Sequence, residues 1–282
     1  MQRLNLVGCG RVGKTLARLW HLHGSLQIQD VLTTSPTSAA AAIGFIAAGR
    51  AASSLADMRP AGLWMIATPD AAVADMARKL AQVQAPCASP PLVFHASGAL
   101  GSDQIAPLQA LGWRTASAHC ILSFATPQVA VTQFTGTACA LEGDPLACAT
   151  LRAVFTAIGA RCFDVDSVNK LLYHAGAVFA TNFLPVLQSV AEDLWRSTGV
   201  PPALIPGLRA SLLHNAVANI CALGPQGALT GPAARGDVMA IARQGAAVSA
   251  WSGEAGAAYA ALSTLALQMA QARASSAAND TP

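Results

Sequence analysis

Charge is scarce in this 282-residue chain: Asp, Glu, Lys and Arg together make up 11% of it. The balance is +3 at neutral pH, from 17 basic and 14 acidic residues, and no long basic run concentrates it. That excludes an electrostatic nucleic-acid surface. Aromatic residues are few as well, at 5%, so the 53% of hydrophobic residues is mostly Ala, Leu and Val. A chain this apolar has enough surface to bury to offset its ordering entropy, which excludes disorder. Seven cysteines, at 9, 87, 120, 139, 148, 162 and 221, form no C-x-x-C pair and leave an odd number. A disulfide framework is therefore not expected, and a reducing cytoplasm is the simplest setting. No H-E-x-x-H motif or Cys/His cluster has metal-ligand spacing, so no metal is expected. A G-x-S-x-G elbow and the Lys-Ser/Thr of a P-loop are missing too, which removes two common catalytic designs.

The mean hydropathy of +0.44 raises the membrane question. At the N-terminus, MQRLNLVGCGRVG, glycines interrupt the apolar run before a signal-peptide core can form. Residues 171–191 are long enough to span a bilayer and contain no Asp, Glu, Lys or Arg. They do contain Tyr173, His174, Asn182, Pro185 and Gln188. Polar groups spread that way are costly in lipid but ordinary in a helix buried at a domain or subunit interface. The expectation is a cytoplasmic protein with no membrane partner.

What the chain does have is an alternation of short apolar runs and helical stretches. Strands are expected at 4–7, 28–33, 63–67, 92–95, 115–119, 137–141 and 162–165, with helices at 14–23, 38–48, 72–82 and 145–158. That spacing predicts an α/β fold, a Rossmann-like doubly wound parallel sheet with helices on both faces. After Asp166 the pattern changes to long helical stretches at 168–198, 202–222, 238–244 and 253–274. The chain thus divides into a dinucleotide-binding domain, 1–165, a helical substrate and dimerisation domain, 166–274, and a small polar tail, 275–282, expected to be flexible.

Gly8-Cys9-Gly10-Arg11-Val12-Gly13 fits G-x-G-x-x-G. Alone the pattern is weak, but here it follows an apolar strand and opens a helix in the first βαβ unit. Gly8 permits the tight turn, Gly10 admits a pyrophosphate, and Gly13 lets helix and strand pack closely. The helix N-terminus offers free N–H groups to the phosphates. At the end of the second strand, NAD sites usually place an acid on the ribose 2′-hydroxyl. This chain has Thr33-Thr34-Ser35 there, with Asp30 too early in the strand. Hydroxyls at Thr34 and Ser35 can donate to a 2′-phosphate, and Arg11 can add charge, so NADP is favoured over NAD. Ser and Thr before Pro36 are equally ordinary turn chemistry.

These motifs carry a resemblance. G-C-G-R-V-G at 8–13, T-P-D at 68–70, H-A-S-G-A-L at 95–100, Ser117-Ala118-His119, Tyr173-His174-Ala175 and L-T-G-P-A-A-R-G-D at 229–237 resemble an uncharacterised family of bacterial Rossmann-like proteins with a C-terminal helical domain of unknown function. The likeness covers nearly the whole chain. The wider group is similar to 6-phosphogluconate dehydrogenase, 3-hydroxyisobutyrate dehydrogenase and pyrroline-5-carboxylate reductase. It implies NAD(P) on the first domain, with Ala67, Thr68, Pro69 and Ser97 beside it, and helices of the second domain that shape the active site and dimerise. It also implies a proton-handling Lys and Asn on the first long helix, carried over loosely to Lys170 and Asn182. The family usually shows His-Pro where this chain has His119-Cys120, which bears on any substrate contact by His119.

On that helix, Lys170, Tyr173, His174, Ala177 and Thr181 fall on one face, with Asn182 at its edge. His174 could act as general acid, because an imidazole titrates near neutrality. The alternative is a lysine at the helix rim and a histidine bonded in an interface. Tyr173 shares the face and is a candidate substrate contact. Arg235, in the turn forced by Gly231-Pro232, either clamps a substrate carboxylate or pairs with Asp237 to fix the turn. His95 ends a strand and is as readily a core residue as a ligand. Two functions remain open. One is an NADP-dependent oxidoreductase moving a hydride between nicotinamide and a small carbonyl, hydroxy or imine substrate between the domains. The other is an NADP-binding sensor without turnover. The apolar surface of residues 171–191 further predicts a homodimer through the helical domain.

Overall fold

A computed structural model describes residues 1–84 and 89–279; Cys87 and the last three residues of the expected tail lie outside the described residues. The first half alternates as its sequence period demands. β1 (Gln2–Val7), α1 (Arg11–Leu22), β2 (Leu26–Leu32), α2 (Pro36–Ile46) and a two-residue β3 (Arg50–Ala51) come first. β4 (Leu63–Ile66), α3 (Asp70–Val83), β5 (Leu92–His95), a short α4 (Ala106–Gln109) and β6 (Arg114–Cys120) follow. Then come α5 (Pro127–Gln133), β7 (Ala138–Gly143), α6 (Pro145–Thr156) and β8 (Arg161–Asp164). The strands form one sheet in the order β3-β2-β1-β4-β5-β6-β7-β8. The order reverses beside β1, which opens a crevice at the strand ends where α/β sheets bind ligands.

Six strands are parallel, but β7 pairs antiparallel to β6, and β8 runs parallel to β7. The parallel sheet expected from the spacing is found across β1–β6 and again between β7 and β8, with the β6–β7 pair antiparallel. The 121–137 connection carries α5, which packs on α1 over one face of the sheet, with Phe134 in the core there. A parallel pairing needs a crossover, whereas an antiparallel pair does not.

Alternation of side chains decides the two cores. In β4, Leu63 and Met65 join Trp20, Phe94 and Phe155 on one face, while Trp64 and Ile66 join Val73, Leu80 and Trp113 on the other. Each buried indole finds a carbonyl: Trp20 Nε1 donates to Val154 O at 3.2 Å and Trp64 Nε1 to Ala61 O at 3.0 Å. Both faces are thus covered, as a doubly wound fold requires.

The remaining elements are helical: α7 (Lys170–Ala177), a π-helical turn at Val178–Asn182, α8 (Phe183–Ser197), α9 (Ile205–Ala228), α10 (Gly231–Ala234), α11 (Val238–Trp251) and α12 (Gly253–Asn279). α12 continues into the segment expected as a flexible tail. Two compact units emerge, Met1–Asn182 and Phe183–Pro282. α7 therefore counts with the sheet, whereas the composition change near 165 groups it with the helices. Among the described residues no helix is long and apolar enough to cross a membrane.

Asp30 is fully buried in β2 and settles where that acid works. Its carboxylate accepts from the Arg59 backbone N–H at 2.7 Å, from Arg59 Nη2 at 2.7 Å and from Arg50 Nε at 2.9 Å. Burial pushes its pKa up, but the bonds from Arg59 and Arg50 outweigh this and hold it far below the usual carboxylate range. Asp30 fastens β2 to the 50–59 loop rather than binding a ribose. Asp30→Asn should lower unfolding free energy by about 2–3 kcal/mol, the scale of losing charge-assisted bonds to a buried acceptor. Urea denaturation checks this, and an unchanged midpoint would contradict the assignment.

Candidate functional site

The glycine turn divides its labour among three glycines. Gly8 sits at φ +82, and a Cβ there would meet the Ala67 backbone at 2.8 Å. Gly13 packs helix to strand, its Cβ position lying 3.4 Å from Ala67 Cβ and Gly8 O. At Gly10 nothing lies within 4 Å, so its side-chain position faces open space. Gly10 is also the N-cap of α1, and no side chain caps that helix or places an acid in its first turn. The first N–H groups of α1 are left for another acceptor.

That space is a cavity of about 450 Å3 lined by the glycine turn, Lys14, Thr33, Thr34, Thr37, Ser38 and residues 67–69. Inside it, Thr68 Oγ1 is buried without a hydrogen-bond partner. Cys9 lines it too, but burial pushes its thiol up to about 12, so it is a packing residue rather than a thiolate. Thr34 is exposed at the rim. Ser35 is the N-cap of α2, accepting from Ser38 N–H at 3.2 Å. Its hydroxyl is used in the turn and is not among the lining groups. Val12 packs against the core.

A second cavity, about 650 Å3, is lined by Arg11, His119, His174, Thr181, Asn182 and the 121–125 loop. Arg11, next to Gly10 in the glycine turn, lines this space. Of the expected helix face, His174 and Ala177 on α7 and Thr181 and Asn182 on the π-helical turn line this cavity, whereas Lys170 and Tyr173 are not among its lining residues and Leu171 and Leu172 face outward. His119 Nδ1 shares a 2.8 Å hydrogen bond with Tyr173 Oη. The His119 and His174 rings meet edge-on with centroids 5.3 Å apart. Gly98 makes room for them, since a Cβ there would lie 2.5 Å from His174 Nδ1 and 2.8 Å from His119 Nε2. His174 Nδ1 is buried and unpartnered. Burial, reinforced by His174 and Lys170, holds His119 down at about 4, so its ring is neutral at pH 7. Cys120, where the family shows Pro, simply prolongs β6 and pairs with Cys139.

Behind the histidines lies a buried polar row. Lys170 is 1% exposed. Its Nζ donates to Ser117 Oγ at 2.7 Å and to Ser97 O at 3.3 Å. Ser117 donates to Glu142 at 2.9 Å, and Glu142 also accepts from Ser102 N–H and Oγ and from Ser167 Oγ. Burial lowers the Lys170 pKa, opposed by Glu142 and Asp70. Burial raises that of Glu142, but its serine donors outweigh this and bring it down. Ser97 donates to Asp70 at 2.7 Å and accepts from the N–H groups of Ala99 and Leu100. Its hydroxyl is therefore committed to holding the loop. His95 is a satisfied core histidine: Nδ1 accepts from Ser97 N–H, and Nε2 bonds Gly101 O at 2.9 Å.

Sequence reasoning missed Lys14, Asp70, Gly98, Ser117 and Glu142 as working residues. Glu142 carried a signal, a lone acid closing the apolar strand 137–141. It meets Ser117 only because β7 is antiparallel, which sets the two opposite each other. Arg235 lies in the second unit, exposed after α10. Asp237 accepts from Ala240 N–H to cap α11, and among the described residues no ion pair joins it to Arg235. No group of three or more His, Cys, Asp or Glu among the described residues is placed to hold a metal ion.

Residues 2–119 match the Rossmann-like domain family, and residues 137–266 match a domain of unknown function, DUF2520. No curated protein matches it. Among solved structures it is similar to protein TM1727 from Thermotoga maritima, with a TM-score of 0.75 and 21% identity over 96% of this chain and 99% of that one. It is similar to BF3122 of Bacteroides fragilis, named as a candidate NADP oxidoreductase, with a TM-score of 0.72 and 21% identity over 95% and 98%. A reductive aminase from Aspergillus terreus, bound to NADPH4, cyclohexanone and allyl amine, follows with a TM-score of 0.65 and 16% identity over 95% and 94%. At these identities the likeness is one of fold.

Burial holds His119 and His95 below the ordinary imidazole value of 6.5. Between about 4 and 6.5 the unfolded chain binds protons that the folded chain does not, so stability is full above 6.5 and falls as pH drops. Glu142 and Asp30, held below 4.5 and 3.8, lose their contribution only at lower pH. The melting temperature should therefore decline from pH 6.5 to 4.5, and His119→Gln should flatten that decline. An identical slope in the variant would contradict the buried neutral ring.

Proposed function

We propose that this protein is an NADP-dependent oxidoreductase acting on a small carbonyl, hydroxy or imine compound. The observation that carries the reading is the glycine turn: Gly8 and Gly13 serve packing, while Gly10 opens onto a cavity that holds an uncapped helix N-terminus and the unpartnered Thr68 Oγ1. Those groups fit a pyrophosphate and its ribose. The α1 N–H groups, Gly10 and Thr68 would hold the dinucleotide. Lys14, Thr33, Thr34, Thr37 and Ser38 surround the end of β2 with donors and no acid. Asp30 is spent on Arg50 and Arg59. Both facts favour NADP over NAD. When bound, the nicotinamide supplies or accepts the hydride.

The residues of the second cavity would handle the substrate. A neutral His119 can donate or accept at Nε2, according to whether Tyr173 donates to Nδ1 or accepts from it. His174 lies against it as the candidate proton donor to a substrate oxygen or nitrogen. Lys170 positions α7 through Ser117 and Ser97 and touches neither histidine directly. Arg11 and Asn182 add polar groups at the cavity wall. The oxidoreductase and reductive aminase among the similar folds support the same reaction class. A small-molecule substrate fits this pocket better than a macromolecule.

Gly10→Val tests the reading cleanly, because its side chain enters open space and leaves the fold alone. The variant should keep the parent melting temperature and weaken NADPH binding roughly tenfold or more in fluorescence titration. Unchanged affinity would overturn the reading. NADP should also outcompete NAD; a tenfold preference for NAD would remove the argument from the β2 end.

A further inference from the structure

Asp30 needs one positive partner and has two, and a third arginine stands beside them. Arg3, Gln27, Gln29, Arg50 and Arg59 form the polar lining of a cavity of about 630 Å3, with Ile28 and Pro60 as apolar wall. Among the described residues no Asp or Glu lines it. The acids that meet these arginines are Asp30, whose side chain has no access to solvent, and Asp57, which pairs with Arg50. Three guanidiniums thus face two carboxylates, and one positive charge is left over.

Buried polar groups build the wall. The Arg59 N–H and guanidinium both donate to Asp30, while Arg59 O accepts from Asn5 Nδ2 at 2.7 Å and from Gln29 Nε2 at 3.2 Å. Gln29 also donates to Pro60 O at 3.1 Å. Asn5, Gln29 and Asp30 are all buried. Arg50 and Arg59 are therefore held in place before any ligand arrives, and binding has few side chains left to order. Held so close, they also repel: the Asp30 hydrogen bond raises the Arg59 pKa, and the Arg50 charge opposes it. The donors not used inside the protein are specific ones. Both arginines spend Nε and Nη2 on Asp30, and Arg50 spends Nη1 on Asp57. Arg59 Nη1 and the whole Arg3 guanidinium have no partner among the described residues.

We infer that this cavity binds a small phosphate monoester, with its phosphate held by Arg3 and Arg59. A carboxylate has two oxygens in one plane and is filled by a single arginine fork, so Arg3 alone would satisfy it and leave Arg59 Nη1 unused. A phosphate monoester has three terminal oxygens pointing in different directions and takes donors from both residues. The cavity volume lies in the range of small-molecule sites, which leaves room for a carbon skeleton beside Ile28 and Pro60. This space is separate from the glycine-turn cavity. Gln27 and Gln29 lie in the first half of β2, whereas Thr33 and Thr34 follow its end, roughly 16 Å further along the strand from Ile28. The inference stands independently of the nicotinamide reading.

Isothermal titration calorimetry of the full chain with ribose 5-phosphate tests it. The parent should bind, and Gly10→Val should retain that binding, because the change lies in the other cavity. Arg3→Gln should weaken it roughly tenfold or more, the scale of one lost charge-assisted hydrogen bond. The Arg3→Gln melting temperature without ligand should match the parent's, since Arg3 has no partner to lose. Ribose should not bind, and succinate, a dianion without a phosphate, should bind more weakly than ribose 5-phosphate. No saturable binding, an Arg3→Gln variant with parent affinity, or binding that Gly10→Val abolishes would each overturn the inference. Succinate binding as tightly as ribose 5-phosphate would overturn the choice of phosphate.

Discussion

The structure turns on one buried ammonium. Lys170 has almost no access to water, and an unpaired charge in that position would cost several kcal/mol. It is met by Ser117, which passes the charge on to Glu142, and by the carbonyl of Ser97. Satisfying it fixes four things at once: the start of α7, the end of β5, the middle of β6 and the end of β7. The same anchoring sets His174, one turn along α7, against Gly98 and His119. The histidine cavity is thus a consequence of how the lysine is paired. Sheet register reinforces it, since Ile66, His95, Ser117 and Glu142 lie opposite one another across four adjacent strands.

The glycine turn and the histidine cavity meet at Arg11, which follows Gly10 and lines the second space. Backbone demands account for Gly8 and Gly13, and only Gly10 lacks a packing reason. A chain under no pressure but stability would gain from a side chain there, because glycine carries the larger entropy loss on folding. Gly10 instead opens onto the cavity that also holds the orphaned Thr68 hydroxyl.

Much of this was legible in the sequence, and what was not has physical causes. The alternation of strands and helices and the glycine turn are local patterns, and they appear where the spacing puts them. Strand direction is not local: nothing in A-C-A-L-E-G distinguishes parallel from antiparallel, so the strand at 138–143 is legible in the sequence but the pairing of Glu142 with Ser117 is not. Ser35 shows a different limit, because a serine before proline has the same local chemistry whether it caps a helix or meets a phosphate. His119 and His174 lie far apart in the chain and come together only through the return of α7. The shared face of α7 was predictable from its period. That Lys170 turns inward while His174 meets the cavity depended on partners from three other strands.

The central claim is that a nicotinamide dinucleotide runs from the glycine turn to the histidine cavity. A crystal structure of the protein soaked with NADP+ tests it most directly. The account predicts pyrophosphate density on the N–H groups that open α1, the 2′-phosphate among Thr34, Thr37 and Ser38, and the nicotinamide ring facing His119 and His174. A dinucleotide bound elsewhere, or one whose nicotinamide points away from both histidines, would contradict it.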